Sequence, residues 1–453
     1  MNYFSLLFKS WRFEQNYDKS REEILELREK KFRKLLKHAY NNSQFYRDYY
    51  NRHGIDETDL DDISIDELPP IDKETFIDNF DKITTEVELN HHEINEFIEK
   101  SDSQNEKYKG EYTIVHSSGS TGEPTYFIYD DDAWNTILAA AFRAGKGRMS
   151  IKEVIGSGIL EGIRVAYIAA TEGRFGGVMA ANSALENLGF DKLLLNINSP
   201  MEEWKEKILE MEPNVIVGYP SGVKLLCDML QEDDEVDLDV LRIITAGEPL
   251  TDQLREYIES TLDSQVHDIY GASETVLIGL GKGEFDGVYI FDDVNYVEFE
   301  KDCIYVTPLY NYSQPLIRYK LTDTLQLKER GQDEELPYTK ISKIVGRNEE
   351  IMWFDTENGG EDFLHPLVVD NIDVDELANY QFVQLSSEKF KIKSVLEEGI
   401  SDEEGVKDEI KRQMDAMLKE KELTNLDYWI EMVSEIPINP DTGKSKMVIK
   451  KLD

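Results

Sequence analysis

Residues 21 to 40 set Ile24, Leu25, Leu27, Phe32, Leu35, Leu36 and Ala39 at helical spacing between charged residues. That period predicts an amphipathic helix whose apolar stripe packs on the rest of the chain. Tyr46, Tyr49 and Tyr50 follow and read as packing of the helix end. Leu68-Pro69-Pro70 breaks the chain, and Asp72 is placed to cap a new helix. Residues 84 to 112 are polar and show no period, so an irregular surface excursion is expected there. Two short apolar runs, Thr113-Ile114-Val115 and Tyr126-Phe127-Ile128-Tyr129, then flank a loop, and Trp134 to Met149 returns to helical spacing.

From Arg164 the rhythm changes. Val165 to Ala169 predicts a strand, 177 to 188 a helix, Leu193 to Leu195 a strand, 201 to 211 a helix and Val215 to Val217 a strand. The series continues with a helix at 221 to 231, a strand at Ile243-Ile244, a helix at 251 to 261 capped by Thr251, and a strand at Val266 to Ile269. Such alternation implies a largely parallel sheet covered on both faces. Ligands of such sheets bind beyond the carboxyl ends of the strands. Further on, Pro315 to Asp323 reads as a strand ending in a carboxylate.

At 453 residues with 40% hydrophobic content, the chain is long enough for a large core and more than one domain. The 92 acidic against 50 basic residues argue against nucleic acid or an anionic membrane as partner. Cys227 and Cys303 are too few for a disulfide framework or a Cys-ligated zinc site. Met1 to Phe13 lacks a signal-peptide layout and no run of about 18 apolar residues occurs, so a soluble, cytoplasmic protein is expected.

The loop between the two apolar runs is His116-Ser117-Ser118-Gly119-Ser120-Thr121-Gly122-Glu123-Pro124-Thr125. Glycines allow close backbone approach, and hydroxyls and amides can point at anionic oxygens, as in a phosphate cradle. A Walker loop would need Lys and Ser or Thr where Glu123 and Pro124 stand, followed by a helix. Gly156-Ser157-Gly158 follows no clear strand and lacks the third glycine of a dinucleotide loop. Two predicted strand ends carry Thr245-Ala246-Gly247-Glu248-Pro249-Leu250 and Tyr270-Gly271-Ala272-Ser273-Glu274-Thr275. In the second, a purine could stack on Tyr270 while Glu274 helps to hold magnesium. Asp323 could accept hydrogen bonds from both ribose hydroxyls. Each also has a plain alternative: an idle hairpin loop, a helix start, a turn Asp, and for Lys444 in Thr442-Gly443-Lys444-Ser445-Lys446 a solvated side chain.

In this order, hydroxyl-rich loop, Gly-Glu-Pro, Tyr-Gly-x-Ser-Glu, Arg-Tyr-x-x-Thr-Asp, Gly-Arg and terminal Gly-Lys, the chain resembles the adenylate-forming superfamily. Within it the likeness is to the phenylacetate-CoA ligase family, which the Leu-x-x-His-Ala-Tyr helix end, Leu-Pro-Pro and Ala-Gly-Glu-Pro-Leu also resemble. The resemblance implies an α/β fold: a large amino-terminal domain with doubly wound sheets over 1–347, led in by helices over 1–83, and a small mobile α+β lid over 348–453. By the same resemblance, Ser117, Ser118, Gly119, Ser120, Thr121 and Gly122 hold the ATP phosphates. Gly247, Glu248 and Pro249 line the adenine side, Tyr270 lies against the ring with Gly271, Ala272 and Ser273 beside it, and Glu274 holds Mg2+. Asp323 and Arg347 bind ribose, Glu349 is the hinge, and Lys444 bridges the reacting carboxylate and the α-phosphate.

The implied chemistry is attack of a small-molecule carboxylic acid on ATP, giving acyl-AMP and pyrophosphate, then transfer to a thiol, with coenzyme A the expected one. A homodimer is the candidate assembly. The chain departs from the family in three places: Glu123 for a frequent Lys, Glu349-Glu350 for Asp-Asp, and Asp355 to Pro366 without the Gly-x-Asn segment near the thiol tunnel. Two other readings are an adenylating enzyme or adenylyltransferase serving a non-CoA acceptor, as in cell-surface polymer or natural-product pathways, and a binder without turnover. Lys444, Asp323 and Glu274 together argue against the last.

Overall fold

The computed structural model describes the chain outside residues 1–2, 87–88, 102, 118–124, 147–161, 172, 198, 233–237, 249, 251, 301–302, 329–330, 332–333, 347–351, 357–359, 365–371, 373, 375, 398–399, 401, 437–447 and 452–453. The lead-in is helical: α1 (Tyr3–Glu14), α2 (Arg21–Asn42), α3 (Gln44–Arg52), α4 (Lys73–Asp78), α5 (Phe80–Ile83) and α6 (His91–Lys100). Ser20 and Glu23 start α2 with a reciprocal cap, each side chain accepting the other's backbone N–H. Its stripe of Ile24, Phe32, Leu35, Leu36 and Ala39 is buried, as the spacing predicts. Tyr46 and Tyr50 are buried too, and the Tyr46 hydroxyl donates to the Pro315 carbonyl at 2.9 Å and accepts from the Ile317 N–H at 3.0 Å. Asp72 caps α4 by accepting from the Thr75 N–H.

The expected irregular stretch 84–112 is corrected by α6. Asn90 caps it, and Ile94 is buried with Phe97 and Ile98 beside it. So narrow a stripe disappears in a polar average. Beyond α6, β1 (Thr113–His116) and β2 (Tyr126–Tyr129) form an antiparallel hairpin separate from the main sheet.

After α7 (Asp131–Lys146) come β3 (Arg164–Ala169), α8 (Gly176–Leu188), β4 (Asp191–Asn196), α9 (Met201–Met211), β5 (Val215–Gly218), α10 (Pro220–Glu232), β6 (Arg242–Ala246), α11 (Asp252–Leu262) and β7 (Val266–Tyr270). These strands lie parallel in the order β4-β3-β5-β6-β7, so the winding reverses between β3 and β5. A crevice opens at such a reversal beyond the strand ends. The sheet runs on through β8 (Gly279–Lys282) and β9 (Gly287–Ile290), then, past β10 (Asn295–Phe299), β11 (Ile304–Pro308) and β12 (Tyr319–Leu321), through β13 (Thr324–Leu327) and β14 (Thr339–Gly346). Among the described residues it has nine strands, ordered β13-β14-β9-β8-β7-β6-β5-β3-β4, while β10, β11 and β12 pair separately.

The strand expected over Pro315 to Asp323 is corrected to Tyr319–Leu321. Arg318 has φ 54°, left-handed backbone that cannot continue a ladder. Its guanidinium instead pairs with Glu298 at 2.9 Å and donates to the Asp66 carbonyl, tying the lead-in to this corner.

The carboxyl-terminal region has β15 (Met352–Asp355), β16 (Glu361–Leu364), β17 (Leu377–Ser386), β18 (Lys389–Leu396), α12 (Glu403–Glu420), β19 (Asp427–Met432) and β20 (Val448–Lys450). Strands β19-β18-β17-β20 form one sheet, and α12 buries Val406, Ile410, Met414 and Leu418 in a second hydrophobic cluster distinct from the main core. Buried Lys421 pairs with Asp362 at 2.9 Å and donates to the Ile197 carbonyl just beyond β4.

The main core holds an ion pair. Arg143 of α7 and Asp293, beyond β9, are both fully buried and joined by bonds of 2.6 and 3.2 Å, with Asn16 and the Tyr338 hydroxyl also donating to Asp293. Burial pushes the Asp293 carboxyl up, but Arg143 pulls it below the usual carboxylate range. Removing one partner of such a pair strands the other charge. Asp293→Ala should therefore lower unfolding stability by about 3 to 5 kcal/mol in denaturant titrations, and a loss under about 1 kcal/mol would contradict this account.

Candidate active site

The hydroxyl-rich loop is built as a hairpin connection. Ser117 closes its base, donating its N–H to the Thr125 carbonyl at 2.9 Å while its Oγ accepts from the Thr125 N–H at 3.3 Å. Ser118, Gly119, Ser120, Thr121 and Gly122 lie outside the described residues. The strand at Tyr126 to Tyr129 after the loop fits the rejection of a Walker helix.

Both edges of this two-stranded hairpin are paired. On the β1 side, His116 donates its N–H to the Arg174 carbonyl at 3.0 Å, and its Nε2 accepts the Arg174 N–H at 2.8 Å. Nδ1, 3.2 Å from the Ser117 carbonyl, therefore carries the proton. Burial lowers the His116 pKa, the Ser117 bond opposes that, and the Arg174 cation adds to it. His116 is thus a neutral strut at the root of the loop. On the β2 side, the Ile128 N–H donates to Gln314 Oε1 at 2.9 Å and the Ile128 carbonyl accepts from Asn311 Nδ2 at 2.8 Å.

The turn carrying Glu274 follows β7. Gly271 is required there, because any side chain would put its first carbon 2.1 Å from the Val276 carbonyl oxygen. The Thr275 and Val276 N–H groups both donate to the Ala272 carbonyl, at 3.0 and 2.5 Å, and the Ile278 N–H returns to the Tyr270 carbonyl at 2.8 Å. Ala272 and Ser273 are half-buried in this turn and Glu274 is 8% exposed. The Tyr129 hydroxyl donates to the Ser273 carbonyl at 3.0 Å, so the hairpin and the turn are joined directly. Burial raises the Tyr129 pKa far above its usual value, with Tyr310 and the Glu274 carboxylate adding to the rise.

Tyr270 and Asp323 also meet. The buried Tyr270 hydroxyl donates to Asp323 Oδ2 at 2.7 Å, from the end of β7 to the residue before β13. One strand over, Gly247 has φ 87°, and a side chain there would come within 2.8 Å of the Tyr219 ring. Glu248 reaches the start of α10, accepting from the Ser221 N–H at 3.0 Å and the Ser221 hydroxyl at 2.9 Å. Its carboxylate thereby caps the helix after β5 and holds the Tyr219-Pro220-Ser221 corner. Pro249, Arg347, Glu349 and Lys444 lie outside the described residues, as does the Thr251 cap.

The structure thus gathers Ser117, Gly247, Glu248, Tyr270 to Glu274 and Asp323 around the carboxyl ends of β6 and β7 and the hairpin beside them. Sequence reasoning missed the side chains that hold them: Tyr129, Tyr310, Asn311 and Gln314. A polar Asn-Tyr-Ser-Gln run inside an apolar stretch was the available signal, since buried amides are placed to serve backbone groups.

No protein-family model matches the chain. The chain is 27% identical over 341 residues to a phenylacetate-coenzyme A ligase of Pseudomonas putida, covering 70% of this chain and 69% of the relative. It is 26% identical over 359 residues to the ligase of that name in Escherichia coli K12, covering 73% and 72%. The chain is similar to the phenylacetate-coenzyme A ligases. Protein CapK of Staphylococcus aureus matches this chain at 22% identity over 454 residues, covering 95% of it and 90% of CapK. A solved 2-hydroxyisobutyryl-CoA ligase, in complex with 2-HIB-AMP and CoA, superposes with a TM-score of 0.63 at 15% identity, covering 96% of this chain and 91% of that one. The chain shares the fold of that solved CoA ligase.

His267, in the strand leading to the Glu274 turn, gives a pH test. It is fully buried, with Nε2 2.9 Å from Arg242 Nη1 and Nδ1 3.1 Å from the Ala144 carbonyl. Burial, then the Arg242 and Lys282 charges, push its pKa down to about 3. A depressed folded pKa means that the unfolded chain binds more protons, so this contribution is present above the unfolded value of about 6.5 and drains away as pH falls toward the folded one. Denaturation midpoints should fall between pH 7 and 4.5, and less steeply in His267→Gln; equal slopes would exclude His267 as a source.

Proposed function

We propose that this chain activates a carboxylic acid with ATP, forming an acyl adenylate and releasing pyrophosphate, and then passes the acyl group to a thiol, coenzyme A. The observation that carries the reading is the direct tie between the hydroxyl-rich hairpin and the Glu274 turn at the carboxyl end of β7. It stands on a chain similar to phenylacetate-coenzyme A ligases, with the fold of a ligase solved with 2-HIB-AMP and CoA.

In this reading Ser117 to Gly122 surround the ATP phosphates and Gly247, Glu248 and Pro249 border adenine. Tyr270 lies against the ring, with Gly271, Ala272 and Ser273 beside it. Asp323, already held by Tyr270, and Arg347 receive the ribose hydroxyls. Glu274 offers the carboxylate oxygen that a hard cation prefers, and Mg2+, when bound, neutralises phosphate charge. Lys444 approaches the reacting carboxylate and α-phosphate, where negative charge grows in the transition state. No protein nucleophile is needed. Residues 348–453 form the mobile lid that turns about Glu349 between the two half-reactions. The two cysteines, both free and buried, suit a reducing cytoplasm.

A second reading, adenylation for a non-CoA acceptor, draws on one observation: Asp355 to Pro366 has no Gly-x-Asn segment. Pyrophosphate release across aryl and aliphatic acids, with and without coenzyme A, separates the two. Acid-dependent release with thioester formation is expected; release indifferent to coenzyme A would favour the second reading, and none with any acid would sink both.

Two substitutions test the assigned roles. Lys444→Ala should abolish adenylation while ATP still binds, and normal adenylation would remove Lys444 from the mechanism. Asp323→Ala should weaken ATP by about 1.5 to 3 kcal/mol, the range for hydrogen bonds to a charged group; calorimetry showing unchanged affinity would refute a ribose contact.

A further inference from the structure

Glu274 sits in a backbone that would not hold its shape unaided. Two residues on, Val276 has φ 59°, the left-handed region that a β-branched side chain strongly disfavours. Such a residue persists only where its surroundings over-determine it. Three side chains supply that constraint. Tyr129 Oη donates to the Ser273 carbonyl at 3.0 Å, Tyr310 Oη to the Thr275 carbonyl at 2.7 Å, and Asn295 Nδ2 to the Leu277 carbonyl at 2.8 Å. The carbonyls immediately before and after Glu274 are therefore each held by a buried tyrosine hydroxyl.

The two tyrosines come from different parts of the chain. Tyr129 ends β2, the strand that leaves the hydroxyl-rich loop, and Tyr310 stands just beyond β11. Tyr310 also begins the segment whose Asn311 and Gln314 pair with the backbone of Ile128. A single unit thus fixes the hairpin and the Glu274 turn to each other.

We propose that Tyr129 and Tyr310 are positioning residues for Glu274, fixing the backbone on either side of it through the Ser273 and Thr275 carbonyls. The proposal rests on the ligase reading for what Glu274 does, but not for how it is held. Its geometry predicts that removing either hydroxyl loosens the turn and misplaces Glu274 without unmaking the fold.

The test compares Tyr129→Phe and Tyr310→Phe with Tyr46→Phe, whose lost hydroxyl also bridges backbone groups but at the lead-in. Hydrogen exchange of peptides spanning 270–278 in the ligand-free protein should quicken several-fold in the first two variants and stay at the wild-type rate in the third. Acid-dependent pyrophosphate release should show kcat reduced by up to about tenfold in the first two, the loss expected from one hydrogen bond, with KM for ATP little changed. Tyr46→Phe should keep the wild-type kcat.

Wild-type exchange in both clamp variants would overturn the proposal, as would quickened exchange with undiminished kcat. If either variant does not fold, the other carries the comparison. In the wild-type protein, moreover, the Val276 and Ile278 amides should exchange as slowly as those of β7, and fast exchange there would overturn it too. A wild-type protein with no acid-dependent release would sink the ligase reading, while the exchange arm would still decide whether the clamp exists.

Discussion

A buried backbone N–H or carbonyl needs a partner, and the hairpin β1–β2 meets that demand without joining the large sheet. Two strands alone leave two open edges, which are costly when covered by protein. Here the Gly173-Arg174-Phe175 corner after β3 serves one edge, through the Arg174 backbone and the His116 ring. Asn311 and Gln314 serve the other. The hairpin is thereby locked between the carboxyl end of β3 and the segment after β11. The position of the candidate site is a by-product of this pairing.

Charge plays a different part from the one that the net value of -42 suggests. Among the described residues, three ion pairs that tie distant parts of the chain together are buried or nearly so. Arg143 with Asp293 joins α7, the amino-terminal helices and the turn after β9. Arg318 with Glu298 fastens the Leu68 corner, and Lys421 with Asp362 brings the carboxyl-terminal sheet's helix against the end of β4. Such pairs lose desolvation energy and regain it only with good geometry, so their main yield is a defined arrangement of parts.

The alternating strands and helices from Arg164 to Tyr270 were legible because buried parallel strands and amphipathic helices leave strong, regular apolar signals. The reversal of strand order was not, since periodicity says nothing about which strands pair. α6 was missed because its buried stripe is little wider than Ile94 and Phe97. The strand drawn over Pro315 to Asp323 failed at Arg318, where a left-handed φ is compelled by contacts made with Asp66 and Leu68, some 250 residues away. For the site, residue types and order pointed to Tyr270, Glu274 and Asp323. That Tyr270 is bonded to Asp323, or that Glu248 caps α10, depends on distances that no local pattern carries.

The pairing of Ile128 with Gln314 also has a meaning in time. These residues are 186 apart in sequence, so at about 5 to 20 residues per second of synthesis β2 waits on the order of ten to forty seconds for its partner. Throughout that interval the nascent chain displays an apolar strand, Tyr126 to Tyr129, with an unmet edge beside a loop rich in serine and glycine. The last-made third of the large core is thus what ends the exposure, and a ribosome stalled before residue 314 would leave a chain prone to pair with its neighbours.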